Sequence, residues 1–279
     1  MFKTILVPTD GSESSKKALK YAVNFAKIYG AVVKGISVVD IRTLEGPFVQ
    51  DLVASTGLIS YEDSQGKIKA ILEQKAEAVL KELSEYCKEN DVICDTKLTI
   101  GIVSKVICEE AGLADVVIMS SHGEHQGFTD VLLGSTTESV IRKSNKPVIL
   151  INKDCLCSVE NVLVAYDGGS YSKDALAVAA NIAVEQKCKI SVLVVDKSEA
   201  EHKNILADAK KYLESYHVKF EGILAQGEIA EEILAQAEKT NSQLIIMGAY
   251  GHSKLHDVIL GSVTQYVLNE AECPVLVVK

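Results

Sequence analysis

Four residues near the end of the chain have the types and spacing of a phosphate cradle. Gly248 and Gly251 are separated by two residues, and after nine further residues come Gly261 and Ser262. Glycines let backbone approach a ligand with no Cβ in the way. A Gly-Ser pair opening a helix would aim N–H groups that lack intrahelical partners at an anion. The segment matches neither the Gly-x-Gly-x-x-Gly dinucleotide fingerprint nor the Gly-x-x-x-x-Gly-Lys-Ser/Thr phosphate loop. It is also written twice. The earlier copy reads Ser120-Ser121-His122-Gly123, ten residues, then Gly134-Ser135. Ser120 there brings a Cβ to the place of the first glycine, and the extra residue is expected to shift the start of the following helix. Both changes count against phosphate binding by the first copy.

Two carboxylates accompany the glycines. Asp10 and Asp167 each close an apolar run, Ile5-Leu6-Val7 and Val162-Leu163-Val164. A carboxylate at a strand end can accept from a ribose hydroxyl or a base amino group. Asp-Gly is equally a common turn pair, and the sequence leaves both roles open. His122, His125, His252 and His256 fall in the two glycine segments. They could donate to phosphate or move a proton, or simply be exposed loop histidines. Tyr250 either stacks or fills its loop. No Ser-His-Asp order and no zinc-binding helix motif is present, so no hydrolytic site is assembled.

The elements that must position these residues also repeat. Val116–Met119 returns as Leu244–Met247, and Pro147-Val148-Ile149-Leu150 as Pro274-Val275-Leu276-Val277. The offset is 157 at Asp10/Asp167 but 127 at Pro147/Pro274, which makes the first copy 30 residues longer. The excess falls near residues 41–66, a stretch of Gly, Pro, Ser and Thr with apolar patches at Phe48-Val49 and Leu58-Ile59. Such an insertion reads as a lid, a contact surface or a passive excursion.

Each copy alternates strand and helix. Ala18, Leu19, Ala22, Phe25 and Ala26 form a helical stripe, matched by Ala175, Leu176, Ala179, Ile182 and Ala183. Ser12 and Ser170 are expected to cap these two helices. Further helices are expected over 68–86 and 205–216, over 103–111 and 230–238, and after each glycine segment. Short apolar strands lie between them. Strict alternation predicts a parallel, doubly wound sheet in each copy, with ligands at the carboxyl ends of the strands.

Length and composition bound the rest. A chain of 279 residues, 47% hydrophobic and 24% charged, suits two globular domains. They are expected at residues 1–153 and 159–279, with 154–158 as linker. A net charge of −9 argues against nucleic-acid or membrane-surface binding. Only two of the 29 basic residues are Arg (Arg42 and Arg142), so Arg forks are not the phosphate-holding device. No charged leader precedes Ile5, and no apolar run approaches the ~20 residues of a membrane span. Seven scattered cysteines, an odd number, read as reduced thiols. Cys155 and Cys157 are linker thiols without nearby partners for a metal. A cytoplasmic protein is expected.

Both copies resemble universal stress protein domains, and the pair resembles a tandem universal stress protein. The resemblance is carried by residues 5–12 and 162–167, by 247–252 through 260–263, and by the closing run Cys273-Pro274-Val275-Leu276-Val277-Val278. Gly248, Gly251, Gly261 and Ser262 match the Gly-2x-Gly-9x-Gly-Ser/Thr pattern of the family's ATP-binding branch. The resemblance implies two Rossmann-like (adenine nucleotide alpha hydrolase-like) domains, each a five-stranded parallel sheet. It implies that the closing strands pair across a pseudo-twofold, giving an intramolecular pseudo-dimer. It implies ATP or AMP as ligand, with Mg2+ or Mn2+ on the phosphates.

By the same resemblance, Asp167 and the backbone of Val194 hold the adenosine end, and Ala165 and His252 belong to the binding set. Gly248 and Gly251 pass close to ribose and phosphate, while Gly261, Ser262 and Val263 cap the phosphates. Asp10, Val38, Gly123, Gly134 and Ser135 are their counterparts in the first copy. An adenine-nucleotide sensor or regulator of the stress response follows. A slow ATPase and a ligand-free scaffold stand as alternatives, and a homodimer and an unidentified protein partner stay open.

Overall fold

The computed structural model describes residues 2–45, 61–123, 133–155, 157–195, 199–251 and 260–279. The first half runs β1 (Thr4–Pro8), α1 (Glu13–Tyr29), β2 (Val32–Asp40), α2 (Ile41–Glu45), α3 (Tyr61–Glu89), β3 (Cys94–Gly101), α4 (Val103–Ala111), β4 (Val116–Ser120), α5 (Ser135–Lys143) and β5 (Val148–Ile151). The second half runs β6 (Asn161–Ala165), α6 (Ser170–Gln186), β7 (Lys189–Val195), α7 (Glu199–Glu214), β8 (Phe220–Ala225), α8 (Ile229–Lys239), β9 (Leu244–Gly248), α9 (Ser262–Glu270) and β10 (Val275–Val278).

All ten strands join one sheet in the order β3-β2-β1-β4-β5-β10-β9-β6-β7-β8. Each half is therefore a parallel five-stranded sheet of order 3-2-1-4-5. Strands covered by helices on both faces should be apolar throughout. The strands β4, β5 and β10 meet that condition, with every residue buried. Ile5 and Val7 join one core layer with α1 and α6, while Leu6 joins the other with α4, α5, α8 and α9. Both layers run through both halves without interruption.

The halves meet where β5 and β10 pair antiparallel, with Leu150 opposite Val275, Ile149 opposite Leu276 and Val148 opposite Val277. This is the pairing expected of the two closing strands. It hides an edge that either half alone would expose. Reciprocal caps flank it. Asn152 Nδ2 donates to the carbonyls of Leu268 (2.8 Å) and Ala271 (3.4 Å) at the end of α9. Lys279 Nζ donates to the Arg142 carbonyl (2.7 Å) at the end of α5. Carbonyls at a helix end lack intrahelical donors, so each half completes a helix of the other. Gln186 Nε2 adds a hydrogen bond to Tyr29 Oη at 2.9 Å. Asn152→Ala is expected to destabilise the chain by about 1–2 kcal/mol and to lower Tm by roughly 2–8 °C in a calorimetric scan.

Three local expectations change. The insertion is not simply a loop: β2 runs directly into α2, and α3 begins at Tyr61, ahead of the helix expected over 68–86. Leu44 packs with Val39 and Ala76, and Ile68 and Leu72 close the same cluster. Gln65 Nε2 also donates to the Leu44 carbonyl at 3.2 Å. These tertiary contacts carry the helix through Gly66, a weak helix former. Phe48-Val49 and Leu58-Ile59 lie outside the described residues.

Ser12 caps α1 as expected, its side chain accepting from Ser15 N. Ser170 does not cap α6: it is the first helical residue, and the cap is Gly169. The second copy carries Gly169 where the first has Ser12, so its serine arrives one position late.

All seven cysteines are free thiols. The linker thiol of Cys157 is buried against Tyr21, and burial pushes its pKa up to about 12. Cys155 is raised to about 11 for the same reason. These linker cysteines pack the core.

Candidate functional site at the carboxyl edge of the second half

The strands of the second half end together on one edge. β7 extends past β6: Ala165 pairs with Leu193, while Val194 and Val195 continue alongside β8. The side chain of Val194 is buried, so only its backbone can face the edge. After Ala165 the chain turns, with Tyr166 N donating to the Leu193 carbonyl at 2.9 Å. Asp167 Oδ1 then accepts from Gly169 N at 2.8 Å. Gly168 adopts φ +80°, a conformation that glycine accepts without strain. Asp167 thus shapes the turn.

The same carboxylate also faces the glycine segment. A Cβ built on Gly251 would lie 3.6 Å from Asp167 Oδ2. A Cβ on Gly261 would lie 3.4 Å from the Ala249 carbonyl and 3.9 Å from Tyr250 Cα. Asp167, Gly251 and the start of α9 therefore line one continuous strip of backbone. Ser262, the first residue of α9, is exposed there, and Val263 is half-buried against the core. His252, His256 and His125 lie outside the described residues.

Gly248 also serves a packing contact. A Cβ there would sit 2.8 Å from Tyr171 Cβ, 3.1 Å from Tyr171 C and 3.2 Å from Ser172 N. The first turn of α6 makes the close approach in the direction where a side chain would stand. Tyr171 in turn meets Tyr250, their ring centroids 5.5 Å apart. Tyr250 is 7% exposed and fills the loop from beneath. Sequence reasoning missed Tyr171; its signal is a bulky residue in the first turn of a helix whose counterpart in the first copy is Ser14.

In the first half, hydroxyls make local hydrogen bonds along the described part of the corresponding edge. Asp10 Oδ1 accepts from Ser12 N at 3.0 Å and Ser12 Oγ at 2.6 Å. Ser120 Oγ donates to the His122 carbonyl at 2.7 Å, and Ser121 Oγ lies 2.8 Å from His122 Nδ1 in a hydrogen bond. A Cβ on Gly123 would stand 2.7 Å from Asp10 Oδ2, nearer than at the Gly251 counterpart. Val38 sits on β2 with its side chain half-buried.

The extra loop residue does not shift the helix start. Gly134 caps α5 at φ −59°, ψ 139°, and Gly261 caps α9 at φ −57°, ψ 135°. Gly134 N is held by the Ser121 carbonyl at 3.0 Å, which anchors the helix start.

Two parallel 3-2-1-4-5 sheets in one chain, with a glycine segment and a helix start at each carboxyl edge, define a tandem Rossmann-like α/β protein. Comparison with known proteins makes this specific. The profile of the Universal stress protein family matches residues 1–152 and 193–279. Universal stress protein Slr1230 of Synechocystis is 29% identical over 290 residues, covering 98% of this chain and 99% of its own. Universal stress protein MJ0531 of Methanocaldococcus jannaschii is 34% identical over 155 residues, covering 55% of this chain and 84% of its own. A crystal structure of a universal stress protein from Archaeoglobus fulgidus superimposes with TM-score 0.81 at 25% identity, covering 99% of this chain and 98% of that one. The chain belongs to the universal stress protein family.

Proposed function

We propose that the protein is a regulatory nucleotide-binding module of the stress response, holding one ATP or AMP at the carboxyl edge of the second half. The observation that carries this reading is the convergence of Asp167, Gly251 and the α9 start on one strip of backbone. Asp167 suits ribose hydroxyls, with Ala165 and the Val194 backbone beside the adenosine. The N–H groups of Ser262 and Val263 suit the phosphates, favoured by the positive end of the helix dipole at roughly 0.3–1 kcal/mol per charge. His252 belongs to the same proposed set.

Among the described residues no three-ligand His/Cys/Asp/Glu cluster offers a metal cage. A site built from backbone and one hydroxyl still fits Mg2+ or Mn2+ arriving with the nucleotide. Such an ion keeps waters and takes phosphate oxygens, with Ser262 Oγ as the hard protein donor. It would neutralise phosphate charge in a chain of net charge −9.

The proposed units are residues 1–153 and 159–279, joined by 154–158. The first unit is read as the unloaded partner, because its aspartate is engaged by Ser12 and its loop by Ser120 and Ser121. Among the described residues no helix is long and apolar enough to cross a membrane, and the proposal places the protein in the cytoplasm.

Titration calorimetry with ATP and Mg2+ is expected to give one site per chain. Mass spectrometry of ligand extracted from the purified protein is expected to find adenine nucleotide. Two equal sites would refute the asymmetry. An absence of nucleotide, with no thermal shift on adding ATP, would sink the proposal and favour a ligand-free scaffold. Steady phosphate release would make the protein an ATPase.

A further inference from the structure

We propose that Thr264 is a positioning residue of this site, its buried hydroxyl fixing the start of α9 against the end of β9. The functional half of the inference rests on the nucleotide reading above; the structural half does not. Thr264 is the third residue of α9 and is 3% exposed. Its Oγ1 donates to the carbonyls of Gly248 at 3.3 Å and Ala249 at 3.2 Å. That backbone is itself tied into the sheet, with Ala249 N donating to the Val278 carbonyl at 2.8 Å. Gly261 has no side chain with which to cap the helix. The register of the helix start is therefore set from Thr264, one turn further in.

The first half repeats the device. Thr137 is 3% exposed, and its Oγ1 donates to the Ser120 carbonyl at 3.1 Å. The preceding loops differ by one residue, and the first residue of the motif differs too, yet the two caps agree within 4° in both dihedrals. A threonine three residues after the Gly of each Gly-Ser pair is what the two copies share. Helix N–H groups hold an anion only where their aim is fixed to a fraction of an ångström. The brace supplies that fixing without touching the ligand.

The test compares wild type, Thr264→Val and Thr264→Ser. Affinity is read by calorimetry with ATP and Mg2+, and hydrogen exchange is followed on peptides covering residues 249–265. Thr264→Val keeps the shape and removes the hydroxyl. It is expected to weaken ATP binding tenfold or more and to speed exchange across the β9 end, with Tm within a few degrees of wild type. Thr264→Ser is expected to restore most of both. Wild-type affinity in Thr264→Val, or equal loss in Val and Ser, would overturn the positioning role. If wild type itself takes no ATP, the functional proposal falls, and unchanged exchange in Thr264→Val would then overturn the brace separately. Should the valine variant fail to fold, Thr264→Ala serves in the same comparison.

Discussion

Gly248→Val is expected to lower Tm by roughly 3–10 °C and to remove nucleotide binding from the same chain. Even a methyl group at this position would lie 3.1 Å from the backbone of Tyr171 and 3.2 Å from that of Ser172. A backbone neighbour cannot swing aside as a flexible side chain can. The first turn of α6 must therefore move, and with it the turn held by Asp167 Oδ1 and Gly169 N. Overpacking of this kind typically destabilises by about 1–3 kcal/mol. The site suffers more than the fold, because Asp167 and Gly251 lose their mutual placement. The first half shows how the same contact tolerates a side chain: Ser120 stands at this position, and Ser14 stands where the second half has Tyr171. The crowding atoms are the Cβ and backbone of Tyr171 and the backbone of Ser172, all kept in Tyr171→Ser, so combining it with Gly248→Ser is expected to give about the sum of the two losses and no ATP binding. Thermal scans and titrations of the two singles and the double measure that coupling. A double variant clearly more stable than that sum would show that the Tyr171 ring, and not the backbone, resists the new side chain.

Leu276→Asp is expected to unfold both halves together at moderate temperature. Leu276 is fully buried, faces Ile149 across the seam, and sits in a core layer that runs through the whole chain. An unpaired carboxylate there costs several kcal/mol, a large fraction of the ~5–15 kcal/mol that holds most domains. Leu276→Val should lose only about 1 kcal/mol. The chain has no Trp, so hydrogen exchange followed by mass spectrometry is the suitable reading. Exchange is expected to rise in peptides from β1 and β4 as well as from β6 and β9. Loss confined to β6–β10 would mean that the halves are independent folding units.

Much of the fold was legible in the residues. Parallel strands covered on both faces must be apolar at every position, and runs such as Val116–Met119 and Leu244–Met247 carry that signature unmistakably. Helical stripes such as Ala18, Leu19, Ala22, Phe25 and Ala26 mark the faces that cover them. The β5:β10 seam followed from the family resemblance, while the strand order was not read, since periodicity does not choose between edges. Asp167 and Gly251 were correctly placed on one edge.

What escaped depended on contacts between elements distant in sequence. The packing of Tyr171 against Gly248 is one such contact, since the two lie on different elements. The start of α5 should have moved with its longer loop, but Thr137 and the Ser121 carbonyl anchor it. Residues 61–67 lack an apolar stripe strong enough to announce a helix, and α3 gains them through Leu44 and Gln65. Ser170 resembled a cap because the spacing of Asp-Gly-Gly-Ser hides which residue takes the cap dihedrals.

The seam between β5 and β10 also bears on how the two copies came to differ. A dimer of identical chains must satisfy both sides of its interface and both of its sites with one sequence, so any substitution appears twice. Joined in a single polypeptide, the partner is always present at a ratio of one to one, at any expression level. Ser14 and Ser120 can then stand on one side with Tyr171 and Gly248 on the other. The hydrogen bonds of Asn152 and Lys279 tie the two halves together on both sides of the seam. On the proposed reading, fusion frees one half from holding a ligand while keeping it as scaffold for the other.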